Sequence, residues 1–243
     1  MYEKFKDFQI AILGVCLAVG IIFASIISTA NFSKDNISVT GSAYEIVKSD
    51  SANWTFIIKA KESTKLASYK KIKEQLPIVQ NYLISKGFTQ EQIEIKPMHS
   101  YENYKINPVN GHSTGVVEYY TYDQPVKVST KDVEKIKTLA TSYQELTEKG
   151  IYILSYEQPQ YQYSQLADLK VKLLQKATSD AKDRAKSMLK SNHNRLGKIR
   201  SAKMGVFQIT PVDSNDVSDS GYNDLSSIEK KVTAVANVTF AIK

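Results

Sequence analysis

The strongest constraint on this 243-residue chain lies between Phe8 and Ala30, where 23 consecutive positions carry no charge. Wound as a helix at about 1.5 Å per residue, they would reach roughly 34 Å. The hydrocarbon core of a bilayer is about 30 Å thick. The apolar core of a cleaved signal peptide is shorter, about 7–15 residues, whereas Ile10 to Ile27 alone spans 18. Ser28, Thr29 and Ala30 offer small residues where a signal peptidase could cut before Asn31, so cleavage is the competing outcome. The length favours a retained anchor. Lys4, Lys6 and the amino terminus precede the segment and Lys34 follows it, so the charge bias that sets orientation is small. A segment this near the start keeps its amino end in the cytoplasm and sends the rest out. The expectation is a single-pass protein of the cell membrane, with residues 1–33 as anchor and residues 34–243 on the periplasmic or extracytoplasmic side.

What lies beyond the anchor is long enough for one large domain or two small ones with a real core; the candidate subdomains are 34–128 and 129–243. The single cysteine, Cys16, falls inside the apolar segment, so the outer part has neither disulfides nor thiol chemistry. Net charge is +7, and residues 1–33 contribute none of it. The window from Gln160 to Lys203 holds eleven basic residues against Asp168, Asp180 and Asp183, which accounts for the whole excess. Conversely, "DSNDVSDSGYND", Asp213 to Asp224, holds four aspartates and no base.

Residue patterning gives a coarse map. "NISVTGSAYEIV" and "ANWTFIIKA" read as strands, rich in β-branched and aromatic residues, around a turn at Lys48 to Asn53. "STKLASYKKIKEQLPIVQNYLISKG" reads as a helix with Leu66, Tyr69, Ile72, Leu76, Val79 and Leu83 on one face, capped by Ser63 or Thr64, kinked at Pro77 and stopped by Gly87. "QIEIKPMHSYENY" and "GVVEYYTYDQPVKVS" read as a hairpin turning at Asn110-Gly111. "STKDVEKIKTLATSYQELTEKG" is a second helix, with Ser129 and Asp132 as a capping pair and Val133, Ile136, Leu139, Tyr143 and Leu146 buried. "IYILSYEQ" is a short strand. The longest helix spans about Ser164 to Ser191, with Leu166, Leu169, Leu173, Ala177, Ala181, Ala185 and Met188 on one stripe. The small residues at its centre let it lie close against a sheet. "KIRSAKMGVFQITPV" and "KKVTAVANVTFAIK" are two long strands around the acidic loop. This order predicts an α+β fold, with helices packed on antiparallel or mixed sheet and a βαββ unit that occurs twice, near 54–128 and 150–243.

Several stretches together resemble the SIMPL-domain family. "ISVTGSAYEIVKSDSANWTFIIKA" is similar to its opening Ile-x-Val-x-Gly strand, turn and second strand. "YTYDQPVKVSTKDVEKIKTL" is similar to its Tyr- and Gln-bearing strand and following helix, "ATSDAKDRAKSML" to its Ala-rich helix, and "VTAVANVTFAIK" to its last strand. "MGVFQITP" followed by "SSIEKKVTAV" resembles a branch of predicted secreted proteins. The resemblance covers Asn36 to Lys243. It implies an envelope or secreted protein of poorly defined role. Some members are linked to oxidative-stress defence, and some form large ring or cage-like homo-oligomers. The family has no agreed catalytic residues, so none carry over. This chain departs from many members in keeping an anchor and in having Ser42 where a small acidic residue or glycine is common.

Candidate chemistry is sparse. His99, His112 and His193 fall on different elements, and no zinc-ligand spacing occurs. No phosphate loop or nucleophile elbow is present, so neither an enzyme nor a cofactor is expected. From Asp216 the acidic loop places Gly221 sixth, as a calcium-binding EF-hand loop would, but Ser227 rather than Glu stands twelfth; a solvated loop is the ordinary reading. Candidate interaction residues are therefore of three kinds. Lys182, Arg184, Lys186 and Lys190 form a basic helix face that is either simply solvated, in contact with anionic lipid or envelope polymer, or paired with an acidic surface on another copy. Asp213, Asp216, Asp219 and Asp224 are that acidic candidate. Tyr101, Tyr104, Tyr119, Tyr120 and Tyr122 crowd the hairpin, where strand propensity explains some and a subunit contact would use others. Nucleic acid is not an expected partner for an outward-facing domain. The leading expectation is an anchored, self-associating, non-catalytic protein. The alternative is a module that captures an anionic lipid, glycan or peptide through the basic helix or the tyrosine-rich hairpin.

Overall fold

In the computed structural model the described residues are 14–25 and 35–243. Residues 14–25 form helix α1, whose 12 residues reach about 18 Å and whose Val15, Leu17, Ile21, Ile22 and Phe23 are exposed. No described helix is long and apolar enough to cross a membrane. The transmembrane helix expected over 8–30 is not shown: α1 covers only 14–25, and the rest of that span lies outside the described residues.

The remaining elements follow in order: β1 (Asn36–Lys48), β2 (Ser51–Glu62), α2 (Lys65–Ser85), β3 (Ile93–Ile95), β4 (His99–Ile106), β5 (Ser113–Thr130), α3 (Val133–Ser142), α4 (Glu145–Glu148), β6 (Ile153–Leu154), β7 (Gln160–Gln162), α5 (Leu166–Lys190), β8 (Leu196–Met204), β9 (Gln208–Pro211), β10 (Tyr222–Asn223) and β11 (Glu229–Ile242). They make an α+β fold with two sheets, antiparallel except where β10 joins β9 in parallel. β1 and β2, adjacent in sequence, belong to different sheets. Two units divide the chain, each discontinuous in sequence. One takes Met1–Ala43, Lys172–Val206 and Ala234–Lys243; the other takes Tyr44–Val171 and Phe207–Thr233.

In the first unit, β11 takes β8 antiparallel, with Ser201 opposite Thr239 and Ala202 opposite Val238. The same stretch of β11 is bonded to β1: Ser38 meets Thr239 hydroxyl to hydroxyl at 2.8 Å, and the Ile242 N–H donates to the Asp35 carbonyl at 2.9 Å. Because one edge of a strand takes one partner, β1 and β8 flank β11, and each has β11 as its sole strand neighbour among the described residues. The α5 stripe is buried through Leu173, Ala177, Ala181 and Ala185, as the spacing predicts, but its last member is Leu189; Met188 is exposed. The buried set keeps a spacing of four from Leu169 to Leu189, and because each step of four advances about 40° beyond a full turn, the buried row winds round the helix and leaves Met188 off it. The small central residues do bring helix and strand together. A side chain begun at Gly41 would lie 2.1 Å from the Ala177 carbonyl oxygen and 2.4 Å from the Ala181 nitrogen.

The second unit holds the larger core. Its six-stranded sheet runs β3-β5-β2-β6, with β4 also on β5 and β7 also on β2. Even-numbered residues of β2, Trp54, Phe56, Ile58 and Ala60, are buried against Ile72, Val79 and Leu83 of α2 and Ile136 and Leu139 of α3. Odd-numbered residues of β2 are half-buried as far as Lys59, and Lys61 is exposed. The β4–β5 hairpin forms as predicted, with Gly111 at φ +70° and its N–H donating to Asn107.

Three local expectations are corrected. Leu66 and Tyr69 leave the α2 core face, and Ser68 takes it instead. The Ser68 hydroxyl is fully buried and reaches the Ala60 and Tyr120 carbonyls at 2.9 and 3.1 Å, which a sequence pattern of apolar residues cannot anticipate. Its removal in Ser68→Ala should cost about 1–2 kcal/mol in denaturant unfolding, the usual loss when buried acceptors are stranded. The predicted helix over 129–150 breaks at Tyr143-Gln144 into α3 and α4; Asp132 is the N-cap residue but makes no side-chain cap, and Ser129 stays in β5 opposite Asn53. The predicted strand over 198–212 is interrupted between β8 and β9, where the Gly205 N–H donates to the Val235 carbonyl at 2.8 Å. Pro77 sits inside a continuous α2, and Thr64 caps that helix by accepting from the Ala67 N–H.

Candidate interaction surfaces and a lysine-lined cleft

The basic face of α5 is partly neutralised by its own acids. The Arg184 Nε donates to Asp180 Oδ2 at 2.8 Å, and Lys186 pairs with Asp183 at 3.2 Å. Asp180 is also the acceptor for the Ser42 N–H at 2.8 Å. That backbone bond, with help from Arg184 and against the cost of desolvation, holds its carboxyl below the ordinary range. Asp180 therefore ties β1 to α5 as well as capping the charge of Arg184. Lys182 and Lys190 are exposed on the same helix.

Of the four loop aspartates, Asp213, Asp216 and Asp219 are exposed, and Asp216 accepts from Ser214 within its own turn. Asp224 is different and is removed from the exposed acidic set. It is buried beside the buried Lys230, whose Nζ donates to the Asp224 carbonyl at 2.7 Å and lies 3.4 Å from its carboxylate. Burial works to raise the Asp224 carboxyl, but bonds from the Ser226 hydroxyl and from the Ser226 and Ser227 N–H groups, with the Lys230 ammonium, outweigh it and hold it at about 2. Burial pushes Lys230 down, and Asp224 recovers only part of that. The two partners' shifts thus differ in what they imply. Contact geometry supports a charged pair, stabilised through the aspartate.

The hairpin tyrosines do not form one platform. Strand alternation separates Tyr119 from Tyr120 and Tyr122. Tyr122 packs edge-on against Tyr69 of α2, with ring centroids 5.8 Å apart. Tyr101 and Tyr104 are exposed on β4, where Tyr104 donates to Glu102 at 2.8 Å and is raised above the ordinary phenol range mainly by that bond. A register shift between Asn103, opposite Tyr119, and Tyr104, opposite Val117, offsets the pairing there.

Tyr119 belongs instead to a cleft that patterning does not reveal. The odd-numbered face of β2 carries Lys59 and Lys61, opposite Asp123 and Thr121 of β5. Lys59 lies 3.4 Å from Asp123, and Lys61 sits 3.8 Å over the centroid of the Tyr119 ring, a favourable cation–aromatic placement. Lys71 of α2 pairs with Glu62 at 2.7 Å. Together with Gln75, Asn103, Gly150 and Tyr152, these residues line an open cleft of about 450 Å³. The alternation in "IIKAKE" does signal outward lysines on β2. Only the docking of α2 adds Lys71 and Gln75 to them.

Taken together, the described residues define an α+β protein of two sheets with long strands and a small-residue helix, and its polar surfaces are lysine- and tyrosine-rich. No curated protein matches the chain. The SIMPL family model, described as a protein of unknown function (DUF541), matches residues 37–240, and the chain belongs to that family.

Proposed function

We propose that this SIMPL protein is a non-catalytic, self-associating component of the bacterial cell envelope, held at the membrane by its apolar N-terminal segment. One observation carries the self-association. β8 is nine residues long, has β11 as its sole strand neighbour among the described residues, and is exposed from Lys198 to Met204 with Ile199 and Met204 bare. An unpaired edge of this kind offers a row of backbone donors and acceptors to another chain. Lys198, Arg200 and Lys203 on β8 oppose its pairing with a second β8, since like charges across strands repel. A different face of the neighbour is then favoured, and the exposed Asp213, Asp216 and Asp219 supply opposite charge. Such head-to-tail contacts close into rings when the rotation permits. The charge-free stretch from Phe8 to Ala30 supports the anchor.

The full chain, extracted in mild detergent at about 10 μM, should sediment as an assembly of several copies, since repeated weak contacts become strong when multiplied. Ile199→Lys combined with Met204→Lys should weaken that assembly about 100-fold, given roughly 1–2 kcal/mol per lost interface contact, with far-UV circular dichroism unchanged. A wild-type chain that sediments as a monomer sinks the proposal. Release of the full chain from membranes by a salt wash alone sinks its anchored part.

A further inference from the structure

The geometry points to a second function, separate from self-association: the cleft over β2 and α2 is a binding site for a small hydroxylated anion, a sugar carboxylate or sugar phosphate. The charge pattern selects the anion. Lys59 and Lys71 each have a carboxylate partner, Asp123 and Glu62. Lys61 has none among the described residues and is held in place over the Tyr119 ring. Two neutralised lysines leave one free ammonium, held over an aromatic ring, to meet the anionic group of a ligand, a placement that a lysine chain without that ring would lack.

Shape and polarity select the rest of the ligand. About 450 Å³ falls within the range of small-molecule pockets and suits one or two sugar rings. Thr121 accepts from the Asn103 side-chain amide at 3.1 Å, which leaves the Thr121 hydroxyl proton and the Asn103 carbonyl oxygen without partners among the described residues. Thr121 is itself buried. A donor and an acceptor side by side, next to an aromatic face, match the alternating hydroxyls of a sugar better than the tail of a lipid or a bare inorganic ion. Gln75, fixed by its bond to the Gly150 carbonyl at 3.3 Å, walls the side of the cleft against α2.

The test is titration calorimetry on the full chain in detergent with D-glucuronate, glucose 6-phosphate, glucose and inorganic phosphate. At least one of the two anionic sugars should bind with a dissociation constant below about 1 mM and at least tenfold tighter than glucose, the difference one charge-assisted contact supplies. Preference between the two anionic sugars tells carboxylate from phosphate. Lys61→Gln should weaken binding at least tenfold and Lys61→Arg should retain it, with the thermal midpoints of both unchanged because Lys61 is exposed. The inference is overturned if neither anionic sugar binds, if glucose binds as well, if inorganic phosphate binds as tightly as the sugar phosphate, or if Lys61→Gln binds like wild type.

Discussion

Replacing Gly41 with alanine is expected to be the most damaging single-methyl change in the first unit, lowering its stability by about 3 kcal/mol, the upper end for forced overpacking. The methyl would meet the Ala177 oxygen at 2.1 Å, the Ala181 nitrogen at 2.4 Å and the Ala181 Cα at 2.8 Å. All three are backbone atoms of α5, so no side chain can swing aside. Gly41 has no positive φ; the requirement is for space alone. Strand and helix must part by more than an ångström to admit the methyl. Parting them also stretches the 2.8 Å bond from the Ser42 N–H to Asp180 and opens gaps beside Ala177 and Ala181, both fully buried. Gly197→Ala is the natural comparison. Its new methyl would lie 2.8 Å from the Ala241 oxygen and 3.0 Å from the Cβ of the same residue, a milder overlap than at Gly41, so a smaller loss is expected. Urea unfolding followed by circular dichroism measures both. A Gly41→Ala chain that unfolds at the wild-type urea concentration would contradict the close approach of β1 to α5.

The second large effect lies in the other unit. Lys230→Met should cost about 3–5 kcal/mol, because it strands a buried carboxylate whose countercharge has gone. Lys230→Met combined with Asp224→Leu should recover most of that loss, since two apolar residues need no pairing in an apolar setting. The pH dependence has a definite sign. The Asp224 carboxyl titrates at about 2 in the fold, against 3.8 when unperturbed. Its contribution to stability is therefore complete above about pH 4, declines as the pH falls toward 2, and is absent below that. Lys230 works in the opposite sense, because its own affinity for a proton is reduced by burial; this offsets part of the benefit at neutral pH without moving the acid-side window. The urea midpoint of wild type should fall between pH 4 and pH 2, and the fall should flatten in Lys230→Met. A single variant as stable as wild type, or a double variant no better than the single, would contradict the buried pair.

Much of the local structure was legible because backbone periodicity is written directly into residue type. The alternation in "SANWTFIIKAKE" gives β2 its buried and half-buried faces. Thr64 and Gly87 bracket α2 by cap and positive φ. The Leu/Ala stripe of α5 was readable from spacing and residue size as far as Ala185. The candidate interaction residues were less legible. Lys182 and Lys190 stay exposed, as a polar helix face should, but Asp224, grouped with three solvated aspartates by composition, is folded inward onto Lys230. The tyrosines of one hairpin divide between opposite faces because consecutive strand residues point apart.

By itself, the sequence determined the charge-free N-terminal stretch, the α+β class and the order of most elements. Each of these depends on contacts within a few residues or on one residue's size and charge. Only the tertiary structure decided that β1 and β2 enter different sheets, that α5 presses its backbone onto Gly41, that Ser68 displaces Leu66 and Tyr69 from the core, and that Lys71 and Gln75 join Lys59 and Lys61 around one cleft. Those outcomes arise from pairings between residues far apart in the chain. Many such pairings satisfy the same local pattern, and the one adopted is the one whose packing and buried hydrogen bonds close together.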